Sequence, residues 1–225
     1  MSKSRDKAYN VIKNAVLDGT FTPGERLIEA KLVALIGVSR TPIREAIKQL
    51  TADNYLVMRP NSGVAVADWG EHELEDIFKL RAMTEGLVAR RASKYITDEQ
   101  IAALRRHTDE IDKILASGPP FDIPGFLEEN AAFHQTIVSA ANSQILAQAL
   151  ERLISPPIVY KVAHNFTAAE LTRSNSHHKE IIDSMEARDG DWADHSMQSH
   201  VMSAYNRMRS LQKKSLPFSL ESRND

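Results

Sequence analysis

Apolar residues recur at helical spacing over residues 4–18, where Ala8, Ile12 and Val16 line one stripe and Gly19 ends the run. A second helix is expected from Glu29 to Ile36, stopped by Gly37. The third starts with Thr41 as N-cap and Pro42 at the first helical position, and continues to about Asp53. Leu32, Leu35, Val38, Ile43, Ala46, Ile47 and Leu50 are expected to pack these three helices together. Two short apolar runs follow, Tyr55–Arg59 and Val64–Ala67, around the turn Pro60-Asn61-Ser62-Gly63. That pattern reads as a β-hairpin.

Three helices and a hairpin within 70 residues make a winged helix-turn-helix, assigned to residues 1–69. After Asp68 the pattern is helical to the end. Breaks at Tyr95-Ile96-Thr97, Ser117-Gly118-Pro119-Pro120, Ala141-Asn142-Ser143, Ser155-Pro156-Pro157 and Asp189-Gly190 leave about six helices: 71–94, 98–116, 124–140, 143–160, 167–187 and 190–212. Short connections imply antiparallel neighbours, so residues 70–213 are expected to form an antiparallel helical bundle. The polar stretch 214–225 is expected to be a flexible tail. The fold class is therefore mainly α.

Composition narrows the chemistry. At 225 residues, 42% hydrophobic and 26% charged, the chain is of ordinary globular type. It has no apolar run of membrane-spanning length, and its polar start is unlike a signal peptide, so a cytoplasmic location is expected. Zero cysteines exclude disulfides, thiolate zinc sites and cysteine nucleophiles. Residues 1–70 hold ten basic against seven acidic side chains, and the remainder 18 against 23. A basic N-terminal part beside an acidic remainder fits nucleic-acid contact at one end.

That contact has obvious candidates. Ser39, Arg40, Thr41 and Arg44 stand at the start of the second helix of the helix-turn-helix, where arginine can reach guanine O6/N7 in the major groove of double-stranded DNA. Hydroxyls and helix-end amides there can hold phosphates. The run Gly37-Val38-Ser39-Arg40-Thr41-Pro42-Ile43-Arg44-Glu45-Ala46, with Pro23-Gly24-Glu25-Arg26-Leu27 upstream and Gly63 in the wing, resembles the signature of the GntR family of bacterial transcriptional regulators. The resemblance covers residues 6–68 and implies DNA contact by Arg40, Thr41, Arg44 and Gly63. Ala30 departs from it where some relatives have an arginine, with Lys31 adjacent as a substitute contact. Ser62 departs where an arginine is frequent before the wing glycine.

The helical part carries histidines on apolar stripes. His134 aligns with Leu127, Asn130, Ile137 and Ala141; His178 with Ile181, Ile182 and Met185; His200 with Met197, Val201 and Ala204. His177 is expected to point elsewhere. Inward histidines from three helices can be hydrogen-bonded core residues or converge on a metal such as Zn, Ni, Mn or Fe. Spacing leaves both open. Phe133-His134-x-x-Ile137 with Ala140-Ala141-Asn142, His178-x-x-Ile181 and Met197-x-x-His200 resemble the effector domain of the FadR-type GntR subfamily, in its shorter six-helix form. The resemblance implies a divalent transition metal on His134, His178 and His200, with Asn130 at a position that is acidic in metal-binding relatives.

Arg81 lies on the apolar face of its helix and needs a partner. It is expected to pair with Glu85, to bind an effector carboxylate, or both. The resemblance further implies a homodimeric repressor, bound to a short inverted-repeat operator and controlled by a small carboxylate. A metal-dependent hydrolase-like enzyme and an effector-free architectural DNA-binding dimer are the alternatives. The first lacks a general-base motif such as H-E-x-x-H.

Overall fold

The computed structural model describes residues 3–59, 63–68, 70–154 and 156–215. These form two compact units, as far as they are described: residues 1–70 together with 151–161, and residues 71–150 together with 162–225. The wing-turn residues Pro60, Asn61 and Ser62 and the tail from residue 216 on lie outside the described residues.

In the first unit, α1 (Lys3–Leu17), α2 (Glu29–Ile36) and α3 (Arg40–Ala52) are joined by β1 (Arg26–Leu27), β2 (Leu56–Arg59) and β3 (Gly63–Val66). The strands make an antiparallel sheet in the order β1-β3-β2, with Leu27 opposite Val64 and Arg59 opposite Gly63. The hairpin is as the apolar runs predict. The two-residue β1 is an addition, too short for an alternation to register. Ala8, Ile12, Leu32, Ile43, Ala46 and Leu50 are at most 2% exposed and hold the three helices together.

Two local expectations are corrected. Helix α3 starts at Arg40 with Ser39 at the N-cap, so Thr41 and Pro42 sit inside its first turn. Leu35 is 65% exposed and takes no part in the core, since Leu32 and Ile36 supply the buried stripe of α2. Gly37 ends α2 at φ +71°, its N–H donating to Val33 O at 3.0 Å. A Cβ there would meet nothing within 4 Å. Glycine is therefore required by the left-handed backbone and not by space.

The remaining described residues are mainly helical: α4 (Glu71–Tyr95), α5 (Asp98–Ala116), α6 (Ile123–Ala140), α7 (Gln144–Leu153), α8 (Pro156–His164), α9 (Ala168–Glu186) and α10 (Gly190–Ser215). The predicted helix 143–160 is thus two helices, because Pro156 and Pro157 supply no N–H to continue the first and favour the start of the second. Residues 151–161, placed with the bundle by sequence, group with the N-terminal unit, where Asn54 Nδ2 donates to the carbonyls of Glu151 and Ile154.

In the second unit α4 lies along α10, and α5 packs on α6 and α9. Helices α6 and α9 also pack on α4, and α9 on α10. Capping boxes fix the starts of α5 (Thr97 with Gln100) and α9 (Thr167 with Glu170). Helices α4 and α10 approach closely at Gly86, where a Cβ would fall 2.2 Å from Asp194 Oδ1 and 3.2 Å from Asp194 O. No described helix is long and apolar enough to cross a membrane.

Candidate functional site

The first site is the outer end of α3. Ser39, Arg40, Thr41 and Arg44 are all exposed, as is Lys31 on α2. The Ser39 hydroxyl makes no capping bond to its own helix. Arg44 is not isolated: its Nε donates to both oxygens of Glu29, at 2.9 and 3.1 Å. Fifteen residues separate the pair, so no local periodicity announces it. At side-chain exposures of 64% and 41% the pair is weak, which leaves Arg44 able to exchange the carboxylate for a base or phosphate. Gly63 takes φ +77° at the start of β3, with Arg26 Nε 4.0 Å from where its Cβ would be. That neighbour brings a further cation to the wing.

The second site lies inside the helical unit. Helices α6, α9 and α10 bring His134, His178 and His200 together, so that one nitrogen from each lies within 4.8 Å of the others. His134 Nε2 and His200 Nε2 face each other at 3.2 Å. The His178 ring stacks on Phe133 at 4.2 Å between centroids and sits 4.5 Å from the His200 ring. His178 and His200 are 0% and 8% exposed.

Glu85 on α4 organises one edge. It is 3% exposed. Its Oε1 accepts from Arg81 Nε at 3.0 Å and Nη2 at 2.9 Å, and its Oε2 lies 3.0 Å from His134 Nδ1. Burial by itself raises the Glu85 pKa, but the Arg81 charge and the His134 hydrogen bond outweigh it and hold the carboxyl at about 2. An ionised carboxylate can only accept, so His134 Nδ1 carries a proton and donates to Glu85, while its Nε2 faces His200. This is the carboxylate–histidine arrangement that fixes the tautomer of a metal ligand.

Whether a metal suits these residues can be judged from their unused atoms. Both nitrogens of His178 and Nδ1 of His200 are buried without a hydrogen-bond partner. Each such polar atom costs about 1–3 kcal/mol unless something engages it. Burial, then the neighbouring histidines, drives the pKa of His178 well below the usual histidine value. Burial, then His134, does the same to His200. Both are therefore neutral, the state in which imidazole binds a metal. At bond lengths of about 2.1 Å, tetrahedral ligand atoms stand about 3.4 Å apart, close to the His134–His200 separation. The donor set fits a transition metal.

Asn130 is half-buried on α6, one turn before His134. His177 differs from expectation: its ring lies edge-on 6.0 Å from that of His200, with Nδ1 shielded and unpartnered. The periodicity of α9 alone does not reveal that His200 of α10 lies over that side. Sequence also paired Glu85 with Arg81 alone. The link to His134, 49 positions away, appears only once α4 and α6 are packed.

Residues 4–66 match the family described as bacterial regulatory proteins, gntR family, and residues 76–203 match the FCD domain. The chain is 28% identical over 202 residues to the HTH-type transcriptional repressor GlaR of Escherichia coli, covering 86% of this chain and 90% of that one. It is 29% identical over 145 residues to the uncharacterized HTH-type transcriptional regulator YdhC of Bacillus subtilis, spanning 64% of each protein. The solved structure of E. coli McbR/YncC aligns with a TM-score of 0.72 at 22% identity, over 96% of this chain and 100% of that one. A putative GntR regulator from Rhodococcus sp. RHA1 aligns at 0.65 and 22% identity, over 93% and 99%. These structures share the fold: winged helix-turn-helix followed by helical domain. With more than half of its length matched by the FCD domain and its N-terminal part by the DNA-binding module, the chain belongs to the gntR family of bacterial regulatory proteins and is a transcriptional regulator, not an enzyme.

Proposed function

We propose that the chain is an effector-responsive repressor in which residues 1–69 read DNA and residues 70–213 sense a small carboxylate through a bound divalent transition metal. The observation that carries this reading is the convergence of His134, His178 and His200 with buried nitrogens left unengaged by the protein. These histidines would hold the ion, with Asn130 offering a neutral carbonyl oxygen. When bound, the metal supplies a Lewis-acidic centre that attracts an anionic oxygen. Three imidazoles and an amide contribute no negative charge, so an anionic effector suits the site better than a neutral one. Arg81 already holds Glu85, and an incoming carboxylate would compete with Glu85 for it. That competition links effector arrival to the residue that orients His134.

On the DNA side, Arg40 and Arg44 would contact base edges. Ser39, Thr41 and Lys31 would contact phosphates, and Gly63 lets the wing backbone approach. A helix-turn-helix of this kind reads an inverted repeat as a homodimer. Relatives named as repressors, GlaR and a probable D-xylose utilization operon repressor of Paenarthrobacter nicotinovorans, support the sign of the regulation.

The test is a thermal-shift screen of small carboxylates with and without Zn(II) or Ni(II), on the wild type and His178→Ala. A ligand at a hundred times its Kd stabilises by about 2.7 kcal/mol. The reading expects metal-dependent stabilisation by at least one carboxylate, lost in His178→Ala, and release of that protein from DNA selected out of a random pool. Stabilisation that ignores the metal, or none at all, would overturn it.

A further inference from the structure

Helix α4 presents to solvent a line of side chains with an ordered chemistry. Glu73 and Asp76 come first, then Leu80, Met83 and Leu87, then Arg91 and Lys94, all exposed. At about 100° per residue these seven fall within an arc of about 80°, over a length of about 32 Å. The apolar members are 50%, 64% and 49% exposed, a concentration of bare hydrophobic surface on one helix face.

The order is what identifies a partner. Reversed about the point midway between Met83 and Thr84, position 73 falls on 94, 76 on 91 and 80 on 87. Acid then meets base at both ends, and leucine meets leucine beside the centre. A surface complementary to its own reversal is what a two-fold, isologous contact requires. We propose that this stripe is where two copies of the chain pair, α4 running antiparallel to α4 of the second copy. The inference rests on the homodimer reading above and supplies its surface.

Local geometry supports the assignment. Arg91 is held by its Nε bond to the Ala141 carbonyl at 2.7 Å, with its guanidinium 5.4 Å from the Tyr95 ring centre, so the basic end is preordered. Parallel pairing would set acid against acid and base against base. The acidic half repels DNA and an anionic lipid surface, and the basic half repels a cationic partner. A second copy satisfies both halves at once.

The test uses the full chain, whose lack of cysteine makes introduced thiols unique. Sedimentation equilibrium is measured for the wild type, Lys94→Glu and Lys94→Glu/Glu73→Lys, with circular dichroism melts to establish that each is folded. Met83→Cys is treated with a short bismaleimide, and Lys113→Cys on α5 serves as control. The wild type is expected to be a dimer. Lys94→Glu places like charges together twice per dimer and should raise the dissociation constant about tenfold, and adding Glu73→Lys should restore it. Met83→Cys should cross-link and Lys113→Cys should not. A monomeric wild type would overturn the homodimer reading itself. A dimer indifferent to Lys94→Glu and uncross-linked at Met83→Cys would overturn this surface alone.

Discussion

Replacing Glu85 by glutamine isolates what its charge does. The side chain keeps its shape and an oxygen acceptor, but Arg81, whose side chain is 12% exposed, loses its counter-ion. Removing one partner of a buried pair costs about 3–5 kcal/mol, and the retained oxygen places this variant near the lower figure. For a chain of this size each kcal/mol moves Tm by about 2–4 °C, so a fall of roughly 6–12 °C is expected in calorimetry of the metal-free protein. Arg81→Met added to Glu85→Gln removes the stranded cation and should recover most of that loss, because swapping a whole buried pair for apolar or neutral groups is close to neutral. Affinity for the proposed metal behaves differently. Glu85 orients His134, and losing such a support lowers affinity by about 10–100-fold. Glu85→Gln melting within 2 °C of the wild type would refute the argument that Arg81 depends on this carboxylate.

Other consequences follow from packing and from the DNA-binding surface. Gly86→Val should destabilise the helical unit by about 1–3 kcal/mol, read as a lower Tm, since its Cβ would meet Asp194 Oδ1 at 2.2 Å and the Asp194 backbone oxygen at 3.2 Å on α10. Arg40→Ala and Arg44→Ala should each weaken binding to selected operator DNA by about 1–3 kcal/mol in fluorescence anisotropy, with melting unchanged. Glu29→Gln should leave stability nearly unchanged and tighten binding to DNA at low salt, because it releases Arg44 and removes a negative charge from the same surface.

Periodicity located the elements well where a single face is buried. The stripe Ala8, Ile12 and Val16, the break at Gly37 and the hairpin strands all stand in the structure as the sequence implies. Leu35 misled because α2 is rich in apolar residues, of which Leu32 and Ile36 are buried and Val33 partly so. The helix predicted over 143–160 failed at Pro156, where apolar periodicity continues across a break in the backbone ladder. In the candidate site, the inward direction of His134, His178 and His200 was legible from their own helices. Their convergence was not, since it depends on the packing of α6, α9 and α10. The same holds for Glu85 reaching His134 and for His177 lying against His200: both are contacts between helices distant in sequence.

The helix-turn-helix is the DNA-binding module, and the buried, unpartnered nitrogens of the helical domain are what the proposed metal would engage. The central question is whether that histidine cluster takes a metal. Calorimetric titration of Zn(II) and Ni(II) into the tag-free, chelator-stripped chain measures this directly. One saturable site per chain is expected in the wild type, abolished by His178→Ala and by His200→Ala while both variants stay folded. No saturable binding, or a stoichiometry unchanged by either substitution, would contradict it.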